Sequence, residues 1–374
     1  MSKKQSIIIV TIFCVFIFGV GILTLLQPYE DFSESENRYL KKFPKLTLEN
    51  IETDAYMKSI DEYLSDHIIF RKYWVQLKSL NELLLGKQEN HNIYFAKDNY
   101  LIKKLENIDE VKLERNSNYL KKFSENNQNV FVGIIPTDEY ILKDKLPLDA
   151  TYENEKEIIQ KIYENQKCTT LPILADLETH KDEYIYYKTD IHLTSLGAYY
   201  AANSILKGMN LPKLNLKDYE KNTVTKEYMG SNNSYSNAFW VTPDEIDTYI
   251  NDDNLEIKSY QDNKLKESTL YHDEYLNKKD KYSYFLGGNN PLIIIIIKNK
   301  SINNAKKLLV VRDSYTSAIA PFLSERFSEV HLIDLRYNKN SIKEYIEKNN
   351  ITDTLVLYGL ATFLTDDNLV YINK

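Results

Sequence analysis

The sequence predicts an α/β domain layered around a mostly parallel sheet and preceded by one N-terminal transmembrane helix. From His91 onward, short apolar runs alternate with stretches of helical spacing, which is typical of βα units. The runs Val130–Ile135 and Leu308–Val311 are apolar throughout, as expected of strands that are buried on both faces. Near the N-terminus, an uncharged apolar segment of about 20 residues is long enough to cross a bilayer.

The composition excludes several classes of protein. The chain has 374 residues, with 47 Lys and Arg against 54 Asp and Glu and a formal net charge of −7. A polyanion-binding protein usually carries a basic excess, so nucleic acid is not an expected partner. Two cysteines, Cys14 and Cys168, imply no disulfide framework, and the six scattered histidines have no zinc spacing. We therefore expect neither a metal site nor a cofactor. The 30 tyrosines suit sugar stacking, but tyrosine also fills half-buried positions.

The N-terminal segment is interpreted as an uncleaved membrane anchor. Residues 1–6 form a short cytoplasmic tip with two lysines, residues 7–26 span the membrane, and acidic residues follow. The positive-inside rule then keeps the N-terminus in the cytoplasm, which predicts a single-pass cell-membrane protein with its large domain outside the cell. A cleaved signal peptide is the alternative, but no small-residue cleavage site follows Leu26. Residues 27–50 are polar and interrupted by prolines, which predicts a stem.

Residues 51–374 are predicted to form the α/β domain. In its first part, Ile51–Leu85, helical spacing lies on both sides of the pair Asp66-His67. That pair is either a metal or catalytic pair or a turn between two helices. After a hairpin around Lys97–Asn99, helices and strands are predicted in the chain order helix Glu110–Asn126, strand Val130–Ile135, helix Glu153–Glu164, strands Leu171–Leu174 and Tyr184–Tyr187, and helix Thr194–Leu206.

The segment 212–284 differs from the rest of the domain. It is less periodic and rich in Asn, Lys, Asp and Tyr, which favours an insertion over a separate domain. Regular elements resume after it as strands Pro291–Ile297, Leu308–Val311, Glu329–Ile333 and Thr354–Tyr358, with helices after the second and third of them, the later one at Ser341–Lys348.

Asp313 and Ser314 directly follow the strand Leu308–Val311 and precede a helix. Open α/β sheets carry their chemistry at the carboxyl ends of the strands, and the first turn of a helix offers backbone N–H groups to a developing oxyanion. Taken alone, the stretch is better explained by a capping role of Ser314 or Thr316. A catalytic interpretation needs a base elsewhere in the chain.

Asp190 and His192 supply a base and a carboxylate that can orient it. A serine hydroxyl is a poor nucleophile until an imidazole removes its proton and a carboxylate holds that imidazole. The pair flanks Ile191 and is predicted to lie between a strand and a helix, at the same sheet edge as Ser314. A separation of about 120 residues is no objection, because triads occur in any chain order. A surface loop pair, or a histidine satisfied near a helix start, explains the two residues equally well.

Four segments together carry a resemblance to a known family: Thr189–Tyr200, Tyr271–Asn289, Leu308–Tyr315 and Ile333–Tyr337. In this order they resemble the DHHW protein family, which is related to the AlgX and AlgJ alginate O-acetylation proteins and their SGNH-hydrolase-like fold. The N-terminal anchor and the segment 36–44 also look alike. The four-letter motif keeps Asp190 and His192, whereas Ile191 and Leu193 replace its middle His and its Trp. Arg312 stands where SGNH enzymes often have glycine.

The resemblance implies roles for several residues. Ser314 would be the nucleophile, His192 the general base and Asp190 the carboxylate that orients it. Residues that would contact the oxyanion or the substrate are Asn289, Arg312 and Tyr315.

The resemblance also implies a function. The chain would be a serine-dependent O-acetyltransferase or esterase that acts on a cell-surface polysaccharide, with a membrane-bound O-acyltransferase as its acetyl supplier. The alternative is a non-catalytic carbohydrate-binding or scaffold protein of a surface polysaccharide assembly. The departures at Ile191, Leu193 and Arg312 and the tyrosine-rich insertion are the features that support this alternative. A structural component of the cell wall or spore coat is a third class.

Overall fold

The computed structural model describes residues 2–33, 36, 38–47, 49, 53, 55–250, 255–298 and 306–374. The chain divides into two compact units. One runs up to Lys87 and includes Ser234–Trp240, and the other comprises Gln88–Asn233 and Val241–Lys374. The boundary that the sequence predicts between stem and domain, at residues 50 and 51, lies outside the described residues.

The first unit is mainly helical. Its helices are Lys3–Leu26, Ala55–His67 and Arg71–Leu84, and two short antiparallel strands, Phe32–Ser33 and Arg38–Tyr39, lie between the first two. The helix Lys3–Leu26 contains the predicted span 7–26 and is long and apolar enough to cross a membrane.

The pair Asp66-His67 closes the helix Ala55–His67 and makes structural contacts. Arg38 donates to both carboxylate oxygens of Asp66, at 2.6 and 2.9 Å, and the backbone N–H of Lys41 donates at 2.9 Å. The hydrogen bonds from Arg38 are the main reason that the pKa of Asp66 falls to about 2. The ring nitrogens of His67 lie 3.0 and 3.3 Å from main-chain carbonyl oxygens of the same unit. These contacts account for the pair without a catalytic role.

An eight-stranded sheet forms the centre of the second unit. From one edge to the other its strands are Lys264–Ser268, Leu255–Gln261, Leu292–Ile297, Glu329–Ile333, Lys307–Arg312, Asp353–Gly359, Val130–Ile135 and Thr169–Thr170. The last five are parallel to one another, and the first three pair antiparallel. The predicted α/β class with a mostly parallel sheet is confirmed.

The strand Lys307–Arg312 lies at the centre of the parallel part. Its residues from Leu308 to Val311 are completely buried, and Val310 pairs with Leu332 on one side and Leu355 on the other. Each such side chain contributes roughly 1.5–3 kcal/mol when it is removed from water. The continuous apolar run in the sequence therefore reflects burial on both faces of the sheet.

Helices connect and cover the strands of this unit: Glu110–Asn126, Asp138–Ile141, Glu155–Glu164, Ile173–Glu178, Ser195–Gly208, Thr316–Ser324, Ile342–Asn349 and Leu360–Thr365. The two strands that pair with Lys307–Arg312 on opposite sides, Glu329–Ile333 and Asp353–Gly359, both follow it in the chain. Crossovers between parallel strands are right-handed, so the helices Thr316–Ser324 and Ile342–Asn349 cover opposite faces. The sheet order reverses at this strand, and such a switch point leaves a crevice at the carboxyl ends.

Two predicted strands are wrong. Leu171–Leu174 is not a strand, because the strand is Thr169–Thr170 and a helix begins at Ile173. A short apolar run fits either element, and here the helix buries Ile173, Leu174 and Leu177 on one face. Tyr184–Tyr187 has one isolated bridge, from Tyr186 to Leu193, and otherwise forms a loop. Its buried side chains are consecutive rather than alternate, which a half-exposed strand does not allow.

The segment 212–284, predicted as an insertion, has two structural parts. An antiparallel hairpin pairs Glu220–Tyr228 with Asp244–Ile250. After residues 251–254, which lie outside the described residues, the strands Leu255–Gln261 and Lys264–Ser268 extend the central sheet to its edge. A smaller sheet of Glu89–Asn90, Ile93–Phe95 and Leu101–Lys103 contains the predicted hairpin.

Candidate active site

Ser314 lies in the tight turn between the strand Lys307–Arg312 and the helix Thr316–Ser324. The buried Asp313 fixes this turn, since its carboxylate accepts the backbone N–H of Tyr315 at 3.0 Å and that of Gly359 at 2.8 Å. Burial raises the pKa of Asp313, and these hydrogen bonds oppose the rise. Ser314 itself remains partly exposed, so a rigid support presents its hydroxyl at the carboxyl end of the sheet.

Asp190 and His192 lie in a narrow loop that closes on itself. The backbone N–H of Tyr187 donates to the carbonyl oxygen of His192 at 3.1 Å, and that of Thr194 donates to Ile185 at 3.0 Å. Thr194 then caps the helix Ser195–Gly208, as its side chain accepts a hydrogen bond from the third residue of the helix at 3.2 Å. The sequence predicts that these two side chains follow the end of a strand. In the structure, this loop holds them instead.

The structure brings the three predicted residues together. Oγ of Ser314 lies 2.8 Å from Nε2 of His192, and Nδ1 of His192 donates to Oδ1 of Asp190 at 2.5 Å. The other carboxylate oxygen of Asp190 accepts the backbone N–H of Ser231 at 2.7 Å. A serine, an imidazole and a carboxylate connected in this order form the arrangement in which a base can take the serine proton.

Asp190 is held in its charged form. Burial alone would raise its pKa, because Asp190 is only 2% exposed. The attraction and hydrogen bond of His192, together with backbone N–H donors from Ser231 and His192, outweigh burial and keep the pKa of Asp190 well below its usual range. At neutral pH the imidazole of His192 therefore faces a carboxylate rather than a carboxylic acid.

Residues 96–333 match the family described as DHHW protein, and this range contains all three residues. The chain belongs to the DHHW protein family. The resemblance seen in the sequence is thereby confirmed. Among curated proteins, none matches the chain.

Several solved structures are similar to this DHHW protein. A DHHW family protein from Eubacterium siraeum has a TM-score of 0.67 at 24% identity, covering 76% of this chain and 96% of that one. Bacillus cereus PatB1, solved with a sulfonyl adduct, has a TM-score of 0.62 at 18% identity, covering 75% of this chain and 100% of that one. The O-acetyltransferase domain of Pseudomonas putida AlgJ has a TM-score of 0.46 at 11% identity, covering 75% of this chain and 95% of that one. The first two show a shared fold.

Asp244, which sequence analysis missed, holds the loop that carries Asp190 and His192 in this DHHW protein. Its buried carboxylate accepts the backbone N–H of Lys188 at 2.8 Å and that of Thr189 at 2.8 Å, the hydroxyl of Thr189 at 2.6 Å, and the hydroxyl of Tyr184. Burial raises the pKa of Asp244, and these hydrogen bonds oppose the rise. Asp244 belongs to the segment that was predicted as an insertion, and a single aspartate there has no signal in the sequence that could identify it.

Aromatic rings enclose the imidazole of His192. Tyr282 stacks on it with ring centroids 3.9 Å apart and an interplanar angle of 12°, and its hydroxyl donates to the carbonyl oxygen of Ser314 at 3.2 Å. Tyr315 lies tilted at 5.0 Å, and its hydroxyl donates to the carbonyl oxygen of Ile191 at 2.8 Å. Tyr282 thus covers the imidazole, while Leu193, in place of the tryptophan of the family motif, is completely buried.

Replacement of Tyr282 tests whether this ring positions the imidazole of His192 for the expected role of general base. Tyr282→Phe keeps the stack and loses one hydrogen bond, so we expect a fall in kcat of less than about tenfold, corresponding to about 1 kcal/mol. Tyr282→Leu removes the ring, and we expect kcat to fall about 100-fold with little change in KM and with a displaced pH profile. Equal effects of both replacements, with an unchanged pH profile, would contradict a positioning role.

Asn289 and Arg312 contact each other at this end of the sheet. NH1 of the completely buried Arg312 lies 3.3 Å from Oδ1 of the exposed Asn289 and 3.2 Å from Oγ of Ser317. Among the described residues, no hydrogen bond joins either side chain directly to Ser314, His192 or Asp190. Their contribution to an oxyanion site stays a prediction.

A buried glutamate, Glu155, lies near the carboxyl end of the strand Val130–Ile135, where it contacts Thr137. Glu155 is completely buried and accepts hydrogen bonds from the backbone N–H of Thr137, at 2.9 Å, and from its hydroxyl. Burial raises the pKa of Glu155 from 4.5 to about 7, although the bonds from Thr137 act against the rise. The folded protein therefore retains this proton at pH values where the unfolded chain has lost it.

This difference predicts a pH-dependent stability. The contribution of the protonated Glu155 is fully present below pH 4.5 and is lost as the pH rises through about 7. The unfolding free energy of the wild-type protein is expected to fall between pH 5 and pH 8 as Glu155 loses its proton. In Glu155→Gln we expect this fall to be smaller by on the order of 3 kcal/mol. Urea denaturation at both values measures it, with the exposed Glu153→Gln as the matched control. An unchanged fall in Glu155→Gln would contradict the assignment.

Proposed function

We propose that this protein is a membrane-anchored, extracytoplasmic serine O-acetyltransferase or esterase that acts on a cell-surface polysaccharide. The observation that carries the proposal is the chain of contacts from Ser314 through His192 to Asp190, at 2.8 and 2.5 Å. A second support is that the chain belongs to the DHHW family, which resembles the alginate O-acetylation proteins. The helix Lys3–Leu26 supports the anchor, with the N-terminus in the cytoplasm and the other residues outside.

In the first half of the reaction, Ser314 takes an acetyl group from a donor. Nε2 of His192 accepts the hydroxyl proton while Oγ attacks the acetyl carbonyl carbon, and Asp190 stabilises the imidazolium that forms. The backbone N–H of Ser314 is the first candidate donor to the oxyanion, because none of the hydrogen bonds among the described residues uses it. The bond between the acetyl carbon and the donor's leaving group then breaks, His192 gives the proton to that leaving group, and acetyl-Ser314 remains.

In the second half, a sugar hydroxyl takes the acetyl group. His192 removes the proton of the sugar hydroxyl as the sugar oxygen attacks the acetyl carbon. The bond from Oγ of Ser314 to the acetyl carbon then breaks, and His192 returns the proton to Oγ as the acetylated sugar leaves. Water in place of the sugar would make the protein an esterase. The proposed donor is a membrane-bound O-acyltransferase that delivers acetyl groups to the outer surface.

Covalent labelling tests the nucleophile, and a sulfonyl fluoride is the probe. Trypsin releases the peptide of residues 313–326, which also contains Ser317 and Ser324 as internal controls. We expect a single adduct on Ser314, and its loss in His192→Ala. An adduct spread over the three serines, or no adduct together with unchanged sugar binding, would favour the scaffold alternative. Acetate release from an aryl acetate, with and without an oligosaccharide acceptor, separates the esterase from the transferase.

A further inference from the structure

Arg312 is a buried cation without a carboxylate of its own. Its side chain is completely buried, and no carboxylate among the described residues forms an ion pair with it. The carboxylate that acts most strongly on its charge, Asp334, is already held by Arg336 at 2.6 and 2.9 Å. Within the described part of the chain, Nε and Nη2 of Arg312 have no hydrogen-bond partner. Removing a charge from water is unfavourable unless it is paired, and a fold retains such a group where function requires it.

The third nitrogen of this guanidinium, Nη1, connects two loops at the carboxyl end of the sheet. It donates to the carbonyl oxygen of Asp313 at 3.3 Å and to Oγ of Ser317 at 3.2 Å, so it contacts the turn of Ser314 on both sides. It also donates to Oδ1 of Asn289 at 3.3 Å. The side chain of Arg312 therefore links Asn289 to the turn that presents the candidate nucleophile.

The contact with Arg312 fixes the direction in which the amide of Asn289 points. A guanidinium only donates hydrogen bonds, so the amide atom that faces it is the oxygen, and the NH₂ group points away from it. Asn289 is exposed, so its NH₂ group is open to a ligand. The turn before it is held as well, because residues 286–288 have φ of 62°, 68° and 84° and the backbone N–H of Leu286 donates to the carbonyl oxygen of Leu270 at 2.7 Å. A held loop and a held amide oxygen make this NH₂ group a preorganised donor.

We propose that Arg312 is a positioning residue, which directs the amide of Asn289 at the acetyl carbonyl oxygen and does not itself contact the substrate. The proposal rests on the proposed function, and it replaces the expectation that both side chains contact the oxyanion. Negative charge develops on the carbonyl oxygen as Oγ of Ser314 attacks, and Nδ2 of Asn289 donates to it together with the backbone N–H of Ser314. This donor needs no reorganisation during the reaction, because Arg312 already holds the amide oxygen.

Opposite changes in rate and stability test this proposal on the full chain in detergent. In Arg312→Met we expect kcat for an aryl acetate to fall about 100-fold with little change in KM. The urea midpoint of unfolding should rise, because the variant removes an unpaired buried charge. Asn289→Ala should be as slow, and the double variant no slower, since Arg312 acts through Asn289. Asn289→Asp offers Arg312 an acceptor but has no NH₂ group, so it should be as slow as Asn289→Ala.

The matched control is Ser317→Ala, which removes a different acceptor of Nη1 and should have near-normal rates. A loss in Ser317→Ala as large as that in Arg312→Met would mean that Arg312 acts on the turn of Ser314 and not on Asn289. A normal kcat in Arg312→Met, losses that multiply in the double variant, or a lower urea midpoint together with lost activity would also overturn the proposal. A wild-type protein that releases no acetate would instead reject the proposed function, and this inference with it.

Discussion

Ser314→Ala is expected to reduce acetate release from an aryl acetate by at least about 10³-fold, because it removes the attacking oxygen. His192→Ala is expected to cost about as much, since the hydroxyl 2.8 Å from Nε2 then has no base. The two replacements disable one unit, so the double variant should be no slower than either single variant. Initial rates at fixed pH, after circular dichroism shows that each variant is folded, measure the effect.

The matched control for these variants is Ser324→Ala. Ser324 is the last residue of the helix Thr316–Ser324, which follows Ser314 in the chain. It is almost completely buried and donates to the carbonyl oxygen of Pro321 at 2.6 Å. It makes no hydrogen bond with the three catalytic candidates among the described residues, so we expect near-normal rates. Rates of Ser314→Ala and His192→Ala that multiply in the double variant would mean that the two residues act independently and would contradict a triad.

Gly230→Ala is expected to lower kcat/KM about 100-fold, although it replaces none of the three candidate residues. A Cβ at position 230 would lie 2.3 Å from Cβ and 2.5 Å from Oδ2 of Asp190, closer than such atoms approach in proteins. The carboxylate would have to shift away from His192 and from the N–H of Ser231, and misplacement by 1 Å is enough for a loss of this size. Initial rates over a range of pH measure the effect.

Gly208→Ala is the matched control for this glycine. A Cβ there would lie 2.3 Å from Cδ2 of Leu171, which is the flexible end of a side chain, and it would touch no catalytic candidate. We expect a lower melting temperature and an almost normal kcat/KM. If Gly230→Ala lost no more activity than Gly208→Ala at equal stability, the close contact with Asp190 would have no catalytic meaning.

The predicted elements succeed where burial follows a regular period. Glu110–Asn126 is a helix with the predicted bounds, and Val130–Ile135 is the predicted strand, since a long amphipathic pattern and a continuous apolar run each fit one element. The prediction fails at Leu171–Leu174, where four residues are too few to show a period. It also fails at Tyr184–Tyr187, where burial comes from loop packing rather than from a strand.

The residues of the candidate site also fall into two groups, those that the sequence could identify and those that it could not. Residue type made Ser314, His192 and Asp190 candidates, because a nucleophile, a base and an orienting carboxylate are chemically distinctive, and the family resemblance then assigned their roles. The supporting residues Asp244 and Tyr282 have no such signature, since each is one of many aspartates and tyrosines in an irregular segment. Their roles depend on a fold that brings them within hydrogen-bonding or stacking distance of the loop that carries Asp190 and His192.

The sequence by itself determined the α/β class, the apolar N-terminal helix and the chemical types present at the site, because these depend on periodicity, length and residue identity within short stretches. Only the tertiary structure decided that Ser314 and His192 lie 2.8 Å apart, that Tyr282 covers the imidazole, and that Gly230 leaves room for Asp190. The physical reason is that contacts between residues far apart in the chain depend on how sheet and loops pack together, and local patterns do not encode that packing.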